Sequence, residues 1–355
     1  MNLEELRKKI DDTDRHIIRL IGERIRTAGA IGEIKKDQGK QIEDPTREKL
    51  VLQHIADIAH EEGLNTDDVE RIYRQIMSMA KNFQGTIVAF QGEPGAYSEE
   101  AAYNYFSPSV SVKPCETLAI VFKTVETGQA EFGIIPIENS LEGSVGQSYD
   151  QLLETSLHVR GEAELRVIHC LIAHPGVKLD SIKKVYSHPQ ALGQCQAFLR
   201  HLGCELIPAY DTAGSVKMIR EKGFTDSAAI AGARAAEIYG MQILAREIED
   251  NTKNYTRFLV IGKQPSPPSG RDKTSIVFSV KHRPGALFDF LKIMTNGNLN
   301  MTKIESRPTR QKPWNYNMFL DFEGHRDDEA VKTTLKALED NALFLKVLGS
   351  YPRMN

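Results

Sequence analysis

The sequence has few cysteines, no long apolar run and no excess of charge of one sign. The four cysteines among 355 residues form no CxxC pair, which predicts reduced cytoplasmic thiols rather than a disulfide framework. No apolar stretch approaches the roughly 18 residues of a membrane span, and the polar, acidic N-terminus is unlike a signal peptide. A formal net charge of −3 gives no basic field for nucleic acid. We therefore expect a cytoplasmic protein with neither a nucleic-acid nor a membrane partner.

Metal ligands and phosphate-binding loops are missing as well. Gly92 and Gly95 have neither the GxGxxG nor the GxxxxGK[ST] spacing, which argues against a dinucleotide-binding fold. His169, Cys170 and His174 look superficially like ligands. Their apolar and β-branched neighbours instead indicate a strand, Val167 to Ala173, with incidental side chains. We expect no metal and no cofactor.

The first segment is typical of one long amphipathic helix with an unusual interruption. Apolar residues recur every seven positions in its main column, at Leu3, Ile10, Ile17 and Ile31. Arg24 occupies the missing place in that column. A guanidinium in an apolar seam is costly unless an anion meets it there. The alternative is a cation that snorkels from a solvated edge, but the central position of Arg24 favours an anionic ligand.

Two further cations, Arg7 and Lys35, flank the same seam. Arg24 and Lys35 lie ~16 Å apart and nearly in line on a helix, so their long side chains can converge on one small ligand. Arg7 is ~26 Å from Arg24 along the axis and cannot reach the same molecule. It could serve a second site, formed with an antiparallel helix of another copy of the chain. Either flanking cation could alternatively be a solvated edge residue.

Pattern changes divide the rest of the chain. Asp44 can cap a second helix that has Pro45 at its first position, and a third helix begins near Thr66. Three helices, one of them so long, cannot form a compact monomer core, so we expect an intertwined dimer. From residue 86, strand and helix signals alternate, which indicates an α/β region of one sheet or two lobes. A proline-rich linker at 264–273 precedes a βαββαβ order typical of ferredoxin-like domains.

Several short motifs coincide with these divisions. The helical part contains Asp44-Pro45-Thr46-Arg47-Glu48. The α/β part contains Pro136-Ile137-Glu138-Asn139-Ser140, Ser187-His188-Pro189-Gln190-Ala191 and Asn254-Tyr255-Thr256-Arg257-Phe258. The C-terminal part contains Gly285-Ala286-Leu287 and Glu305-Ser306-Arg307-Pro308.

With these motifs, the chain resembles the bifunctional chorismate mutase–prephenate dehydratase family of phenylalanine biosynthesis over essentially its whole length. The resemblance implies an all-α, dimeric chorismate mutase domain at 1–85. It implies a two-lobed α/β dehydratase domain, similar to periplasmic binding proteins, at 86–263. After the linker it implies an α+β, ferredoxin-like ACT regulatory domain at 274–355.

For the mutase, the resemblance implies a site for chorismate built from cations and polar groups of two subunits. Its residues would be Arg7 from the partner, Arg24, Lys35, Asp44, Arg47, Glu48 and Gln84. The arginines would hold the two carboxylates, while Lys35 and Gln84 would act catalytically as donors to the ether oxygen as its C–O bond breaks. Asp44 and Glu48 could hold the hydroxyl group. Ala80 stands where some relatives carry serine.

For the dehydratase, the resemblance makes Thr256 the hydrogen-bonding or proton-donating group at the departing hydroxyl of prephenate. A free hydroxyl is a poor acid, so a neighbour or a water relay is expected. Arg257 would pair with a carboxylate. Further polar contacts to prephenate are expected from Glu138, Asn139, Ser187 and Gln194. His188 could be a general base or a structural residue before proline.

For the ACT domain, the resemblance implies an L-phenylalanine site at an interface between copies. Its residues would be Gly285, Ala286, Leu287, Glu305, Ser306, Arg307 and Pro308. We therefore expect a homodimer or higher oligomer that converts chorismate to prephenate and then to phenylpyruvate, with feedback by phenylalanine. One alternative is a dehydratase whose helical domain only dimerises. Another is a non-catalytic protein that senses amino acids or binds solutes.

Overall fold

The structure, a computed structural model, describes residues 2–37, 45–83, 86–108, 110–309 and 315–354. These form two compact units. One comprises Met1–Thr86 with Pro108–Ser111, and the other comprises Ile87–Ser107 with Val112–Asn355. Within the described ranges, no helix combines the length and hydrophobicity needed to cross a membrane.

The N-terminal unit is helical, as predicted. Its helices are α1 (Leu3–Asp37), α2 (Pro45–Glu61) and α3 (Thr66–Phe83). Both α1 and α2 pack on α3, and this contact buries Ile25, Ile55 and Ile76. Most of the apolar seam of α1 stays exposed; Ile10 and Leu20 are 60% and 62% accessible. The monomer therefore covers only part of the apolar surface of its longest helix.

The second unit begins with a mixed sheet that forms the first lobe of the α/β region. Its strands are β1 (Ile87–Gln91), β2 (Ser111–Cys115), β3 (Phe132–Asn139), β4 (Gly143–Ser144), β5 (His158–Arg166) and β11 (Tyr255–Gly262). The strand order is β2-β1-β3-β11-β5, and β4 pairs with the end of β3. Its helices are α4 (Tyr97–Tyr105), α5 (Leu118–Glu126) and α6 (Gly146–Glu154). The late strand β11 thus lies in the middle of this sheet.

A separate sheet forms the second lobe and decides between the two architectures that the sequence left open. Its strands are β6 (Cys170–Ala173), β7 (Lys184–Ser187), β8 (Glu205–Pro208), β9 (Ser227–Ala231) and β10 (Gln242–Ala245), in the order β10-β6-β9-β7-β8. Its helices are α7 (Pro189–Gln194), α8 (Gln196–Leu202), α9 (Thr212–Lys222) and α10 (Ala233–Tyr239). The predicted strand at Val167 to Ala173 begins only at Cys170, because the preceding segment belongs to the crossing between lobes.

The C-terminal region has the predicted βαββαβ order. Its elements are β12 (Asp272–Ser279), α11 (Ala286–Asn296), β13 (Met301–Pro308), β14 (Tyr316–Glu323), α12 (Glu329–Asn341) and β15 (Phe344–Pro352). The antiparallel sheet has the order β13-β14-β12-β15. Phe278 and Phe290 stack between sheet and helix with ring centroids 3.7 Å apart. The sheet also packs on β5 of the first lobe, so the C-terminal region and the first lobe share a core.

Candidate active sites and effector site

Strand pairing brings two predicted dehydratase residues together and turns two others away. Thr256 of β11 lies opposite Asn139 of β3, and Arg257 lies opposite Glu138. Successive side chains of a strand point to opposite faces. Thr256 and Asn139 therefore share one face, whereas Arg257 and Glu138 share the other.

A buried chain of amides surrounds Thr256. The Asn139 amide nitrogen Nδ2 donates to Thr256 Oγ1 at 3.0 Å and to Asn254 Oδ1 at 2.7 Å. Asn254 Nδ2 donates in turn to Gln194 Oε1 at 2.9 Å. Gln194 ends α7 of the second lobe, so the chain of amides spans the two lobes. Three predicted residues, Asn139, Gln194 and Thr256, thus meet in one network.

The backbone determines which way this network runs. Asn139 Oδ1 accepts the backbone N–H groups of Leu141 and Glu142, each at 3.0 Å. An N–H group can donate only to the amide oxygen, so Asn139 must present its NH₂ group to Thr256. Because Thr256 Oγ1 accepts this bond, its own proton is available to a ligand. That is the polarity a donor to a leaving hydroxyl needs.

His169 and Tyr97 extend the network. The sequence pattern predicts that His169 is an incidental side chain of a strand. That interpretation is wrong for His169, which precedes β6. Its Nε2 lies 2.9 Å from Gln194 Oε1, and its Nδ1 lies 2.8 Å from Tyr97 Oη. Burial lowers the pKa of this imidazole, opposed by the Gln194 hydrogen bond and the Glu249 carboxylate. No spacing in the sequence marks His169.

Three other predicted dehydratase residues have different partners. The buried Ser187 hydroxyl donates to the Ile230 carbonyl at 2.7 Å and so ties β7 to β9. Glu138 forms an ion pair with Lys303 of β13. Arg257 forms ion pairs with Glu162 at 2.7 Å and Asp321 at 2.8 Å. Their roles as prephenate ligands stay predictions, because none of these contacts joins them to the Thr256 network.

His188, which the sequence left between two roles, caps α7. Its Nδ1 accepts the backbone N–H of Gln190 at 3.3 Å. This is a local capping contact of the kind that stabilises a helix N-terminus.

The predicted mutase residues lie along the helical unit. The guanidinium of Arg24 lies 5.6 Å from the ring centroid of Tyr73, a cation–π contact between α1 and α3. Arg7 and Arg47 are exposed. Lys35 and Glu48 lie within α1 and α2, but their side chains are outside the described set. Asp44 and Gln84 lie outside the described residues altogether. A single chain keeps Arg7 and Arg24 ~26 Å apart along the continuous helix α1.

A cavity of about 780 Å³ lies between the C-terminal sheet and α6 of the first lobe. Ala286, Leu287, Arg307 and Pro308 line it, whereas Gly285, Glu305 and Ser306 are not among its lining residues. Among the described residues, the buried Nε of Arg307 has no hydrogen-bond partner. An unpaired guanidinium nitrogen beside a cavity is a candidate ligand for a carboxylate.

No cluster of potential metal ligands occurs in the described part of the chain.

Comparison with known proteins matches all three regions to established families. The matches are chorismate mutase type II at residues 6–85, prephenate dehydratase at 88–266 and the ACT domain at 274–340. The bifunctional chorismate mutase/prephenate dehydratase of Stutzerimonas stutzeri is 38% identical over 359 residues, which cover 99% of this chain and 98% of that protein.

The chain belongs to the bifunctional chorismate mutase/prephenate dehydratase family.

Solved structures resemble the dehydratase and ACT regions of this family member. A prephenate dehydratase from Arthrobacter aurescens, in complex with L-Phe, is 30% identical with a TM-score of 0.69. The match covers 76% of this chain and 90% of that one. A protein described as a novel type of quorum quenching acylase is 36% identical with a TM-score of 0.70, over 76% of this chain and 98% of that one.

Proposed function

We propose that this chain rearranges chorismate to prephenate and then converts prephenate to phenylpyruvate, with phenylalanine as its feedback effector. The observation that carries the second activity is the hydrogen bond from Asn139 to Thr256, which leaves the threonine proton free for a substrate. The full-length similarity to bifunctional enzymes supports both activities together.

Prephenate dehydration requires one proton from outside the substrate. As the ring carboxylate leaves as carbon dioxide, its bonding electrons enter the ring and the C–O bond to the hydroxyl breaks. The departing group is a hydroxide equivalent that becomes water when it gains a proton. Thr256 donates a hydrogen bond to this oxygen, and a water relay replaces any proton that Thr256 transfers. Aromatisation of the ring drives the step.

The Claisen rearrangement of chorismate needs no nucleophile and no proton transfer. It needs the diacid held in a folded conformation with its reacting carbons close together. Arg24 and the partner subunit's Arg7 clamp the carboxylates, with Arg47 as reinforcement. Lys35 and Gln84 stabilise the negative charge that develops on the ether oxygen, an effect worth roughly 3 kcal/mol by analogy with oxyanion holes. Asp44 and Glu48 hold the substrate hydroxyl.

The working molecule is a homodimer or a higher oligomer in the cytoplasm. The exposed seam of α1, which includes Ile10 and Leu20, supports this assembly because a large apolar face of this kind needs a partner. An antiparallel copy of α1 also supplies Arg7 to the site of Arg24, which one chain alone cannot do.

Phenylalanine occupies the cavity between the C-terminal sheet and α6. Its carboxylate meets the guanidinium of Arg307, whose Nε has no hydrogen-bond partner among the described residues, and its ring packs among apolar lining residues such as Leu287. Lys346 of β15 donates to carbonyl oxygens at the end of α6, including that of Leu153 at 2.9 Å. Helix α6 borders the cavity and follows β4, and β4 pairs with the end of β3 at Asn139. An occupied cavity can therefore bias the position of Asn139.

Separation of the two activities tests the proposal. Purified wild type is given chorismate or prephenate, and both products are quantified. Arg24→Ala should lose conversion of chorismate while retaining conversion of prephenate, and Thr256→Ala should show the reverse.

Conversion of prephenate but not chorismate by wild type would leave a dehydratase with a helical dimerisation domain. Ligand binding without turnover of either compound would indicate a binding protein. Either result contradicts the bifunctional proposal.

A further inference from the structure

The His169 imidazole lies in the dehydratase network but does not touch Thr256. It is 2% exposed and contacts Gln194 on one side and Tyr97 on the other. Buried polar networks stabilise one arrangement strongly only when every member has a matching partner. The donor and acceptor roles along the line from Asn139 to His169 can therefore be worked out one bond at a time.

The roles propagate from the backbone of Leu141 and Glu142. Those two N–H groups can donate only to an oxygen, so the atom of Asn139 that they contact is Oδ1. The other amide atom of Asn139 is therefore the NH₂ group, which donates to Asn254 Oδ1. Asn254 then has its NH₂ group toward Gln194, whose Oε1 must accept. Gln194 Nε2 correspondingly faces the carboxylate of Glu142 at 3.4 Å. Each amide has one orientation that satisfies its neighbours.

This sequence of bonds decides where His169 carries its proton. Gln194 Oε1 accepts, so the ring nitrogen 2.9 Å away, Nε2, must donate. In the neutral ring, Nδ1 then carries a lone pair and accepts the hydroxyl proton of Tyr97. The Tyr97 hydroxyl also lies 2.8 Å from the Ile168 carbonyl, so its single proton is shared between that carbonyl and Nδ1.

The charged and titratable groups around His169 are compatible with this arrangement. Its backbone N–H donates to the buried Glu249 at 2.9 Å, and Glu249 pairs with Arg166 at 3.5 Å. Glu142 lies beyond Gln194, and Cys170, Cys195, Glu100 and Glu249 act on the Tyr97 hydroxyl that contacts the ring. Burial raises the pKa of Tyr97 and of Cys195, so both stay neutral near pH 7.

We propose that His169 is a positioning residue of the dehydratase centre: its Nε2–H anchors Gln194, and through Asn254 it keeps the backbone-oriented amide of Asn139 in place beside Thr256. This inference rests on the proposed dehydratase activity. Removal of the Nε2–H takes away one of the two donors to Gln194 Oε1. Gln194 and Asn254 are then held less firmly, and the Asn139 amide, whose direction the backbone still sets, is less precisely placed against Thr256.

Two substitutions at position 169 separate this role from simple filling of space. His169→Phe keeps a ring but removes both nitrogens, whereas His169→Gln keeps an N–H donor near the place of Nε2. By analogy with residues that orient metal ligands, His169→Phe should lower kcat for prephenate by roughly 10- to 100-fold. KM should change less than kcat, and His169→Gln should recover most of the loss. Chorismate conversion serves as the internal control and should not change.

A double-mutant cycle gives the sharper readout. If His169 acts through the Thr256 hydroxyl, His169→Phe should have little further effect on kcat in a Thr256→Val background. A purely structural contribution would lower the residual rate by the same factor in both backgrounds. Additive effects, or a kcat in His169→Phe equal to that of wild type, would overturn the proposal.

A spectroscopic measurement keeps the inference testable even if a variant does not fold. Wild-type protein labelled with ¹⁵N-histidine should show a buried imidazole protonated at Nε2 at neutral pH. A bare Nε2 would overturn the assignment. Failure of the proposed function is distinguishable, because wild type would then not convert prephenate at all, whatever the state of the imidazole.

Discussion

Arg257 donates to the Asp321 carboxylate at 2.8 Å, although its chain neighbour Thr256 faces the opposite side of the same strand. The pairing of Glu138 with Lys303 repeats this relationship on the adjacent strand, where Asn139 faces Thr256. Strands β3 and β11 therefore carry the Thr256 network on one face and contact the ACT sheet with the other. A displacement of that sheet would act on the two strands that hold Asn139 and Thr256.

Asp321→Asn should destabilise the second unit. The side chains of Arg257 and Asp321 are largely buried, so the loss of one charge-assisted bond should reduce the free energy of unfolding by about 1.5–3 kcal/mol. Denaturant titration measures this change. Glu329→Gln is the matched control, since it removes a carboxylate from an exposed pair with Lys332 and should have an effect below ~1 kcal/mol. Equal losses in the two variants would contradict the prediction.

Thr256→Val and Thr256→Ser form a matched pair for the dehydratase step. Valine keeps the branched shape but removes the hydroxyl, so kcat for prephenate should fall by roughly 10²- to 10³-fold. Serine keeps the hydroxyl and should retain much of the rate. Steady-state kinetics on prephenate measure both variants, and chorismate conversion, which depends on the other unit, serves as the internal control. Similar rates for valine and serine would remove the hydroxyl from the mechanism.

Mixing of two inactive mutases tests whether Arg7 acts in the partner's site. Homodimers of Arg7→Ala and of Arg24→Ala should each lose chorismate mutase activity. In a mixed dimer, one site carries both substitutions and the other carries neither. Random exchange of subunits should restore about one quarter of the wild-type activity, from one intact site in half of the dimers. If activity does not recover after exchange, Arg7 and Arg24 of one chain act in the same site, or they act outside the mutase site.

L-Phenylalanine should stabilise the protein through Arg307. Saturation at 100 times the Kd should raise the free energy of unfolding by about 2.7 kcal/mol, measurable as a rise in Tm. Arg307→Met should weaken binding strongly because it removes the guanidinium that we propose to bind the carboxylate. Arg283→Met is the control, since Arg283 lines the same cavity but pairs with Asp289 at 2.8 Å. A control variant that loses binding as severely would remove the special role of Arg307.

Mild acid should destabilise the second unit through buried histidine. Burial lowers the pKa of His169 in the folded state below the ordinary value of 6.5. The unfolded chain then binds more protons than the folded chain as the pH falls through that value, so stability decreases toward acid. Urea titrations between about pH 7 and pH 5 should show a shallower decrease for His169→Gln than for wild type. Parallel decreases would assign the acid sensitivity to other groups, such as His158, whose pKa burial also lowers.

Long periodic segments could be predicted from the sequence, whereas the burial of a charged residue in β5 could not. Along β5, charged residues alternate with apolar or small ones, which is typical of a strand with one solvated face. The buried Glu162 of this strand pairs with Arg257 and Lys273, both distant in sequence. A buried charge is tolerated because of such partners, and partners from other strands leave no local pattern. For the same reason, the sequence did not reveal that Arg257 of β11 contacts Glu162 and Asp321.

The sequence by itself determined the helices of the N-terminal unit, the βαββαβ order of the C-terminal region and the residue types suited to hold small diacids. These features depend on local periodicity and on side-chain chemistry. Only the tertiary structure decided that Asn139, Gln194 and Thr256 join His169 in one oriented network while Ser187, Glu138 and Arg257 bind elsewhere. Hydrogen bonds depend on distance and direction in space, and these follow from strand register and lobe packing rather than from neighbours in the chain.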